Sequence, residues 1–379
     1  MKSFLYALFL IISSSIFAQT HFTIPQNVWR TSFKSDHSVG KWRGNSISDG
    51  LKYKYRVDTT NFEVEQFFNR SISRNLLKLE YGFTDKATLM LEIPIVSNLQ
   101  EERSWKISYD PLPQKLDSLL NFYYPKPTNN SGLSDITLAL NFLIRGVPAW
   151  RGGKQRYSLY TGFDMVFPFA QDLKKFDSKS IDSNSTPLQF KHLPIGEGLT
   201  ELRVRVFGEF YRKGWGRLLN MNWSFGVSSF QKNIVNPPIT FLWMENASAD
   251  SIAQSIGDVT RKKSPQVNGS IKTQLELVPK RVFVSTGLNS QFNGRDQFFS
   301  KNSTISKLMA KRDGFDSQNM LTTQFVKFNF VNLDPFIMIG PLPFELELGA
   351  SWFLPYPLTY HNFANVASWV QISSYFQSW

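Results

Sequence analysis

Charged side chains recur at every second position of several apolar segments, and they are the residues best suited to bind a solute. Arg203 and Arg205 stand two apart, as do Glu345 and Glu347, so each pair points to one side of an extended strand. A guanidinium pair attracts anions, and a carboxylate pair attracts cations. The complete inward-facing set comprises Glu201, Arg203, Arg205, Glu209, Lys272, Glu276, Glu345, Glu347, Asp135 and Asp164.

Two arrangements of these charges stay open. Isolated charges are costly to bury, so the charges must be paired across strands or hydrated. In one arrangement Arg203 and Arg205 form the anion-attracting side of a path, with Glu345 and Glu347 opposing them. In the other, the same residues form a salt-bridge network that plugs the interior.

Histidine is scarce, which argues against hydrolytic chemistry. The four histidines are His21, His37, His192 and His361, and none lies on a clearly predicted strand beside a serine two residues away. A hydrolase of this kind needs a base next to its nucleophile. Asp36 and His37 form a candidate acid–base pair, but a solvated pair in a loop is the favoured interpretation. We therefore predict that the chain is not an enzyme.

No metal or cofactor site is predicted. Asp313 and Asp316 flank a Gly-Phe dipeptide, but the spaced oxygen ligands of a calcium loop are missing, so this stretch is predicted to be a turn. The pair Glu345 and Glu347 is interpreted as hydrated wall rather than as a cation site. The chain contains no cysteine, which removes disulfides and thiolate ligands together.

The first residues are typical of a secretory signal. Lys2 supplies a positive start, Phe4–Ile12 an apolar core and Ser15–Ala18 a cleavage site, so residues 1–18 are predicted to be a signal peptide and residues 19–379 the mature barrel domain. No later apolar run is long enough for a helical membrane span. The net charge of +12 is scattered rather than clustered, which argues against a nucleic-acid partner.

The stretch Leu76–Val96 indicates the type of element that carries the charges. Apolar and polar residues alternate with period two on both of its arms, and Thr84–Lys86 leaves room only for a tight antiparallel turn. Each arm has about ten residues, which is the length that a tilted strand needs to cross a bilayer. A half-buried hairpin of a soluble protein has the same pattern, but the signal peptide favours the membrane interpretation.

The alternation recurs to the end of the chain, and short and long connections follow each other in turn. This order is typical of an outer-membrane barrel with short periplasmic turns and long extracellular loops. The predicted fold is therefore all-β: a transmembrane antiparallel up-and-down β-barrel that has no open edge in lipid and whose lumen the charged set lines. It has about twelve strands, or fourteen if Leu51–Val57 pairs with a strand near Phe62–Phe68. Other predicted strands are Val28–Lys34, Ile136–Ile144, Tyr157–Phe167, Leu202–Phe210, Leu219–Val227, Val267–Leu277, Val282–Phe292, Met320–Val331, Phe344–Trp352 and Asn365–Trp379.

Short turn motifs carry a family resemblance. Tyr81–Lys86 leads into Leu91–Val96, Ser131–Leu138 follows, and a strand ends at Phe167–Pro168. In these motifs the chain resembles the outer-membrane barrel family of transporters of the meta-pathway of phenol degradation. That family is similar in outline to fatty-acid-transporter-type barrels. Its strand end of the Pro-Thr-Gly-Asp type is replaced here by Phe167–Asp172, which makes the external rim different.

The barrel and the resemblance together imply an outer-membrane channel or transporter for passive passage of small molecules, hydrophobic or aromatic ones among them. The alternative is a structural or adhesive barrel with a plugged lumen and binding loops. The expected location is the cell outer membrane, where the partners are lipid and lipopolysaccharide, the barrel-assembly machinery and a small-molecule solute. Neither a cofactor nor a nucleic acid is expected.

Overall fold

The computed structural model describes most of the chain. Its regular elements are β-strands, and within the described residues no helix is long and apolar enough to cross a membrane. The predicted signal peptide and the predicted turn at Asp313–Asp316 lie outside the described residues. Those residues are 22–43, 51–57, 60–107, 128–148, 155–170, 195–214, 217–235, 259–301, 303, 306, 319–333, 339, 343–354 and 362–377.

The described residues form seventeen β-strands. In chain order they are β1 (Val28–Arg43), β2 (Leu51–Val57), β3 (Thr60–Thr84), β4 (Ala87–Ile107), β5 (Thr128–Leu133), β6 (Ile136–Gly146), β7 (Gln155–Phe167), β8 (Glu201–Gly214), β9 (Arg217–Phe230), β10 (Asn233–Val235), β11 (Val259–Lys262), β12 (Gln266–Val278), β13 (Val282–Asn293), β14 (Gln297–Ser300), β15 (Asn319–Asn332), β16 (Phe344–Phe353) and β17 (Asn362–Gln377).

The main sheet closes on itself. It contains fourteen strands, and the additional pairing of β3 with β4 completes a ring. Because β2 only extends β3 and β5 only extends the line of β6 along β4, the ring itself has twelve strands, in the order β3-β1-β17-β16-β15-β13-β12-β9-β8-β7-β6-β4. The pairings are antiparallel, which confirms the predicted barrel and its predicted size.

The early segments differ from the prediction in two respects. Strand β1 runs on to Arg43, so Asp36 and His37 lie within the wall and not in a solvated loop. Strand β2 pairs with residues 60–66, as the fourteen-strand alternative required, but those residues are the far end of β3. The hairpin therefore lengthens an existing strand and adds none to the ring.

The long connections contain short strands of their own. Strands β10, β11 and β14 pair in a separate three-stranded sheet formed by the two long connections that follow β9 and β13. Strand β4 extends to Ile107, beyond the predicted hairpin arm that ends at Val96. The wall thus continues past that arm.

The two faces of the wall have opposite chemistry. On the outer face Val204 is 50% exposed and Leu348 47% exposed, whereas inner residues such as Glu80 and Asn141 are almost completely buried. This alternation is what period-two patterning gives when lipid lies on one side. Of the side chains expected to face lipid, Leu138, Val204, Val206 and Leu348 are exposed, while Leu140 and Leu346 are half-buried.

An arginine on the outer face should be costly. We expect Val204→Arg to lower the free energy of unfolding by about 2 to 4 kcal/mol, because a guanidinium near the middle of the apolar band loses its hydration. Urea titration of the protein in lipid vesicles, followed by tryptophan fluorescence, measures this loss. Val204→Ile keeps an apolar side chain and should change little, and an equal effect of both substitutions would show that this face does not meet lipid.

Candidate functional site: the barrel interior

A short segment before the first strand folds back into the barrel. The backbone amide of Asn27 donates to the carbonyl of Gly82 at 2.7 Å, and that of Ile24 donates to the hydroxyl of Thr88 at 3.0 Å. Thr23 and Ile24 are 0% and 1% exposed. Because Gly82 and Thr88 belong to the inner face near the β3–β4 turn, this segment, residues 22–26, occupies the lumen at the short-turn end.

The tip of this segment meets an aromatic cluster in the lumen. The ring of Phe22 lies 4.7 Å from that of Phe207 and 5.3 Å from that of Tyr160, and the latter two rings stack at 5.4 Å. The carbonyl of Phe22 accepts a hydrogen bond of 3.3 Å from the amide nitrogen of Asn141. The segment is therefore held by both apolar and polar contacts.

Glycine is required where this segment crosses β3. A Cβ atom added to Gly82 would lie 2.1 Å from the carbonyl oxygen of Pro25 and 2.7 Å from that of Ile24. Both clashes are with backbone atoms, which cannot rotate away. The close approach therefore depends on the missing side chain of Gly82.

A buried ion network lies beside the segment. The guanidinium of Arg30 binds Glu80 through two hydrogen bonds of 2.5 and 2.6 Å, and the ammonium of Lys78 lies 3.3 Å from Glu80 and 3.8 Å from Glu92. The side chains of Arg30, Lys78 and Glu80 are at most 7% exposed. These charges compensate one another in a space with little water.

Arg203 and Arg205 share Asp164 as a common acid. Arg205 donates to Asp164 at 2.6 Å, while Arg203 donates to Glu201 at 2.7 Å and lies 3.6 Å from Asp164. Arg205 also donates to the side-chain amide oxygen of Asn141, the residue whose amide nitrogen holds Phe22. Glu345 and Glu347, which were predicted to oppose the two arginines, have other partners within the wall.

Glu347 is the acceptor of a second polar cluster. It receives hydrogen bonds from the ammonium of Lys327 at 2.8 Å, the amide of Asn329 at 3.0 Å and the indole of Trp369 at 2.7 Å. Lys34 stands over the Trp369 ring at 4.9 Å from its centroid. Three donors thus hold the carboxylate of Glu347 within the wall.

The remaining charged residues of the predicted set are also buried, each with its own contact. Glu345 accepts from the hydroxyl of Tyr375 at 2.9 Å, and Glu276 accepts from the backbone amide of Lys280. Glu209 accepts from Tyr160 at 3.0 Å and lies 3.5 Å from Arg156. Lys272 is 8% exposed and lies on the inner face.

Asp135 holds a loop and does not belong to a row of wall charges. Its carboxylate accepts from the backbone amides of Ala170 at 3.0 Å, Glu197 at 2.7 Å and Gly198 at 3.1 Å. Next to it Ala170 and Ile195 pack on Val96 and Leu99. The two described ends of the connection between β7 and β8 are thereby fixed beside Asp135.

Removing this carboxylate should release the connection. We expect Asp135→Ala to leave three amides without an acceptor and to weaken the local structure by about 1 to 3 kcal/mol. Hydrogen exchange at Ala170, Glu197 and Gly198 should speed up about tenfold or more, while exchange in β12 stays slow. Unchanged exchange at all three amides would contradict this assignment.

Sequence reasoning missed several residues that complete these clusters. Arg30, Lys34, Arg156 and Lys327 all reach the interior, as do Lys78, Glu80 and Glu92 on the polar faces of the first hairpin. Their signal is the same period-two position that selected the other charges. Phe22 carries no such signal, since it precedes the first strand.

A cavity remains between the segment and the far wall. It is partly open to solvent. Cations, amides, hydroxyls and aromatic rings form its wall. The inward side chains that line it include Phe22, Arg203, Arg205, Phe207, Asn222, Ser224, Asn268, Ser270, Lys272, Asn289, Phe325, Lys327, Ser351 and Trp369.

The candidate catalytic and metal residues give no second site. His37 contacts the hydroxyl of Ser73 at 2.9 Å and Asp36 accepts from Arg74 at 3.1 Å, but the two pairs point to opposite faces of the wall. Among the described residues, no group of three or more His, Asp or Glu is placed to hold a metal ion. His21, His192 and His361 lie outside the described residues.

Comparison with known proteins identifies the fold. An outer membrane channel from Pseudomonas putida F1 is similar with a TM-score of 0.55 and 12% identity, and the match covers 96% of this chain and 100% of that one. The toluene transporter TbuX from Ralstonia pickettii (TM-score 0.33, 9% identity, 94% and 92% covered) and a FadL homologue from Pseudomonas aeruginosa (0.33, 8%, 93% and 91%) are more distant. The chain thus has the fold of an outer-membrane β-barrel.

Sequence comparison adds nothing to this. No family model matches the chain, and a search of the curated proteins finds no significant match.

Proposed function

We propose that the protein is an outer-membrane channel for passive passage of small apolar or aromatic solutes. The carrying observation is the cavity in the lumen, where aromatic rings and a few polar groups lie beside a folded-back segment. A twelve-stranded ring lies between eight-stranded barrels, which side chains fill, and the wide aqueous porins. Such a narrow, partly aromatic interior suits one small organic molecule better than bulk water.

The similar fold supports the channel part of this proposal, since the protein from Pseudomonas putida F1 is an outer membrane channel. The aromatic side chains Phe22, Phe207 and Phe325 give the cavity of this chain surfaces on which a planar ring can pack.

The proposal includes the cellular location. Residues 1–18 would direct export, and the barrel would fold into the outer membrane with the help of the assembly machinery and stand among lipid and lipopolysaccharide. Outer-membrane fractionation and heat-modifiable migration in a gel test this. Recovery of the protein in the soluble periplasmic fraction would contradict it.

Solute passage is tested by filling the cavity. Cells that carry the protein should take up radiolabelled benzyl alcohol faster than cells without it. Ser270 lines the cavity, so Ser270→Trp should abolish the difference, whereas Leu275→Trp on the lipid face of the same strand should preserve it. Equal uptake with and without the protein would favour the structural or adhesive alternative.

A further inference from the structure

Four cationic side chains line the cavity. Arg203, Arg205, Lys272 and Lys327 line it, and none of the described residues that line it is Asp or Glu. The side chains of Arg203 and Arg205 keep 18% and 17% exposure, whereas Asp164, their common partner, keeps 3%. A molecule in the cavity therefore meets guanidinium surface, with the carboxylates behind it.

Hydrogen-bonding capacity is left over at this wall. The Nε atom of Arg205 and both amide atoms of Asn222 have no hydrogen-bond partner among the described residues. Asn222 is only 6% exposed, lines the cavity and stands opposite Lys272 on the neighbouring strand. Buried polar groups are normally paired, so an unpaired amide beside a cation suits a ligand that brings acceptor oxygens.

An apolar surface adjoins the cationic one. The guanidinium of Arg205 lies over the ring of Phe207, at 5.3 Å from the ring centroid, and the ring of Phe22 packs on the same Phe207. A carboxylate bound at Arg205 would thus have its hydrocarbon part directly against these rings. The cavity wall can therefore bind a negative charge and pack against an apolar group at adjacent positions.

We propose that the cavity takes amphipathic organic anions, namely small aromatic or aliphatic carboxylates, with the carboxylate at Arg203 and Arg205 and the apolar part along Phe207. This inference rests on the proposed channel function and narrows its solute class. Asn222 and Lys272 form a second station deeper in the lumen. Asn222 lies four residues along β9 from Gly226, the register partner of Arg205, which is about 13 Å.

Two stations make passage compatible with recognition. A single tight site would hold the anion, whereas two weaker ones let it move from the first to the second and leave. The arginines lie near the start of β8, toward the long connections, and Asn222 lies toward the short turns. An anion that enters from the loop side therefore meets the guanidinium pair first.

A pair of matched solutes tests the inference. Benzoate and benzyl alcohol share a ring and are nearly equal in size, but only benzoate is charged. Added to the reconstituted full chain in a planar bilayer, benzoate should reduce the ion current at about tenfold lower concentration than benzyl alcohol. Replacing both arginines, Arg203→Gln with Arg205→Gln, should remove this preference while labelled benzyl alcohol still enters proteoliposomes.

Controls separate the inference from the channel function. Arg212→Gln, on an exposed arginine of the same strand, should keep the preference for benzoate. Asn222→Leu leaves both arginines in place and should weaken the benzoate effect in a barrel whose folding is verified by heat-modifiable migration. If benzoate and benzyl alcohol reduce the ion current of the unmodified protein at equal concentrations, the anion proposal is overturned and the channel function stands. If neither solute reduces the current or enters proteoliposomes, the channel function itself is overturned.

Discussion

Replacement of Glu80 with glutamine should destabilise the barrel by about 3 to 5 kcal/mol, the largest stability effect that we expect from any single substitution. The carboxylate of Glu80 accepts two short hydrogen bonds from Arg30 and lies 3.3 Å from Lys78, and its side chain is 1% exposed. Glutamine has almost the same volume, so packing is retained. What is lost is the negative charge that compensates two buried cations.

Urea unfolding in lipid vesicles measures this loss, and Glu102→Gln is the matched control. Glu102 lies in the neighbouring strand β4 but is exposed, so its substitution should change the free energy of unfolding by less than about 0.5 kcal/mol. A double variant, Arg30→Met with Glu80→Gln, should recover part of the stability. The destabilisation of the double variant is compared with the sum of those of Arg30→Met and Glu80→Gln alone. If the two are equal, Arg30 and Glu80 are not coupled and the assignment of the pair is wrong.

Valine in place of Gly82 should open the lumen. Its Cβ atom would lie only 2.1 Å from the Pro25 carbonyl oxygen, so the segment of residues 22–26 has to leave its place on β3. Phe22 would then lose its contacts with Phe207 and Tyr160. Because the segment no longer fills part of the lumen of the twelve-stranded ring, the open path becomes wider. Single-channel conductance should therefore rise about twofold or more.

Phe83→Val is the control for this prediction. Phe83 is the next residue of the same strand but faces outward with 39% exposure, so its substitution leaves the segment in place. Conductance of this variant should equal that of the unmodified protein. Equal conductance of the Gly82 and Phe83 variants would show that the segment does not limit the path.

Much of the wall could be predicted because lipid imposes a strict pattern on it. Residues such as Val204 and Val206 must be apolar and their neighbours face the interior, so the strands from β6 onward stand close to where the alternation put them. The pattern fails in Ser35–Arg43, where residues on both faces are mostly polar. That part of β1 is held by backbone pairing with β3 and β17. Backbone pairing does not require apolar residues at every second position, so the sequence gives no sign of the strand there.

Partners of the interior charges could not be predicted in the same way. Glu80 lies opposite Arg30, and Lys327 lies near Glu347, because of the register between strands. A shift of two residues would keep every side chain on its face and change every partner. The folded-back position of Phe22 is also hidden, since it depends on contacts with Gly82, Thr88 and Asn141 that no local pattern records.

The seam between β1 and β17 has a consequence for the order of assembly. It joins sixteen residue pairs, from Val28 with Gln377 to Arg43 with Asn362, which are the most distant pairs along the chain. Contacts this remote carry a large loop-closure entropy and form slowly. Until Asn362–Gln377 pairs, neither β1 nor β16 has its neighbour on that side, and the incomplete sheet exposes two open edges to other chains. We therefore expect the pairing of β1 with β17, which closes the ring, to form last.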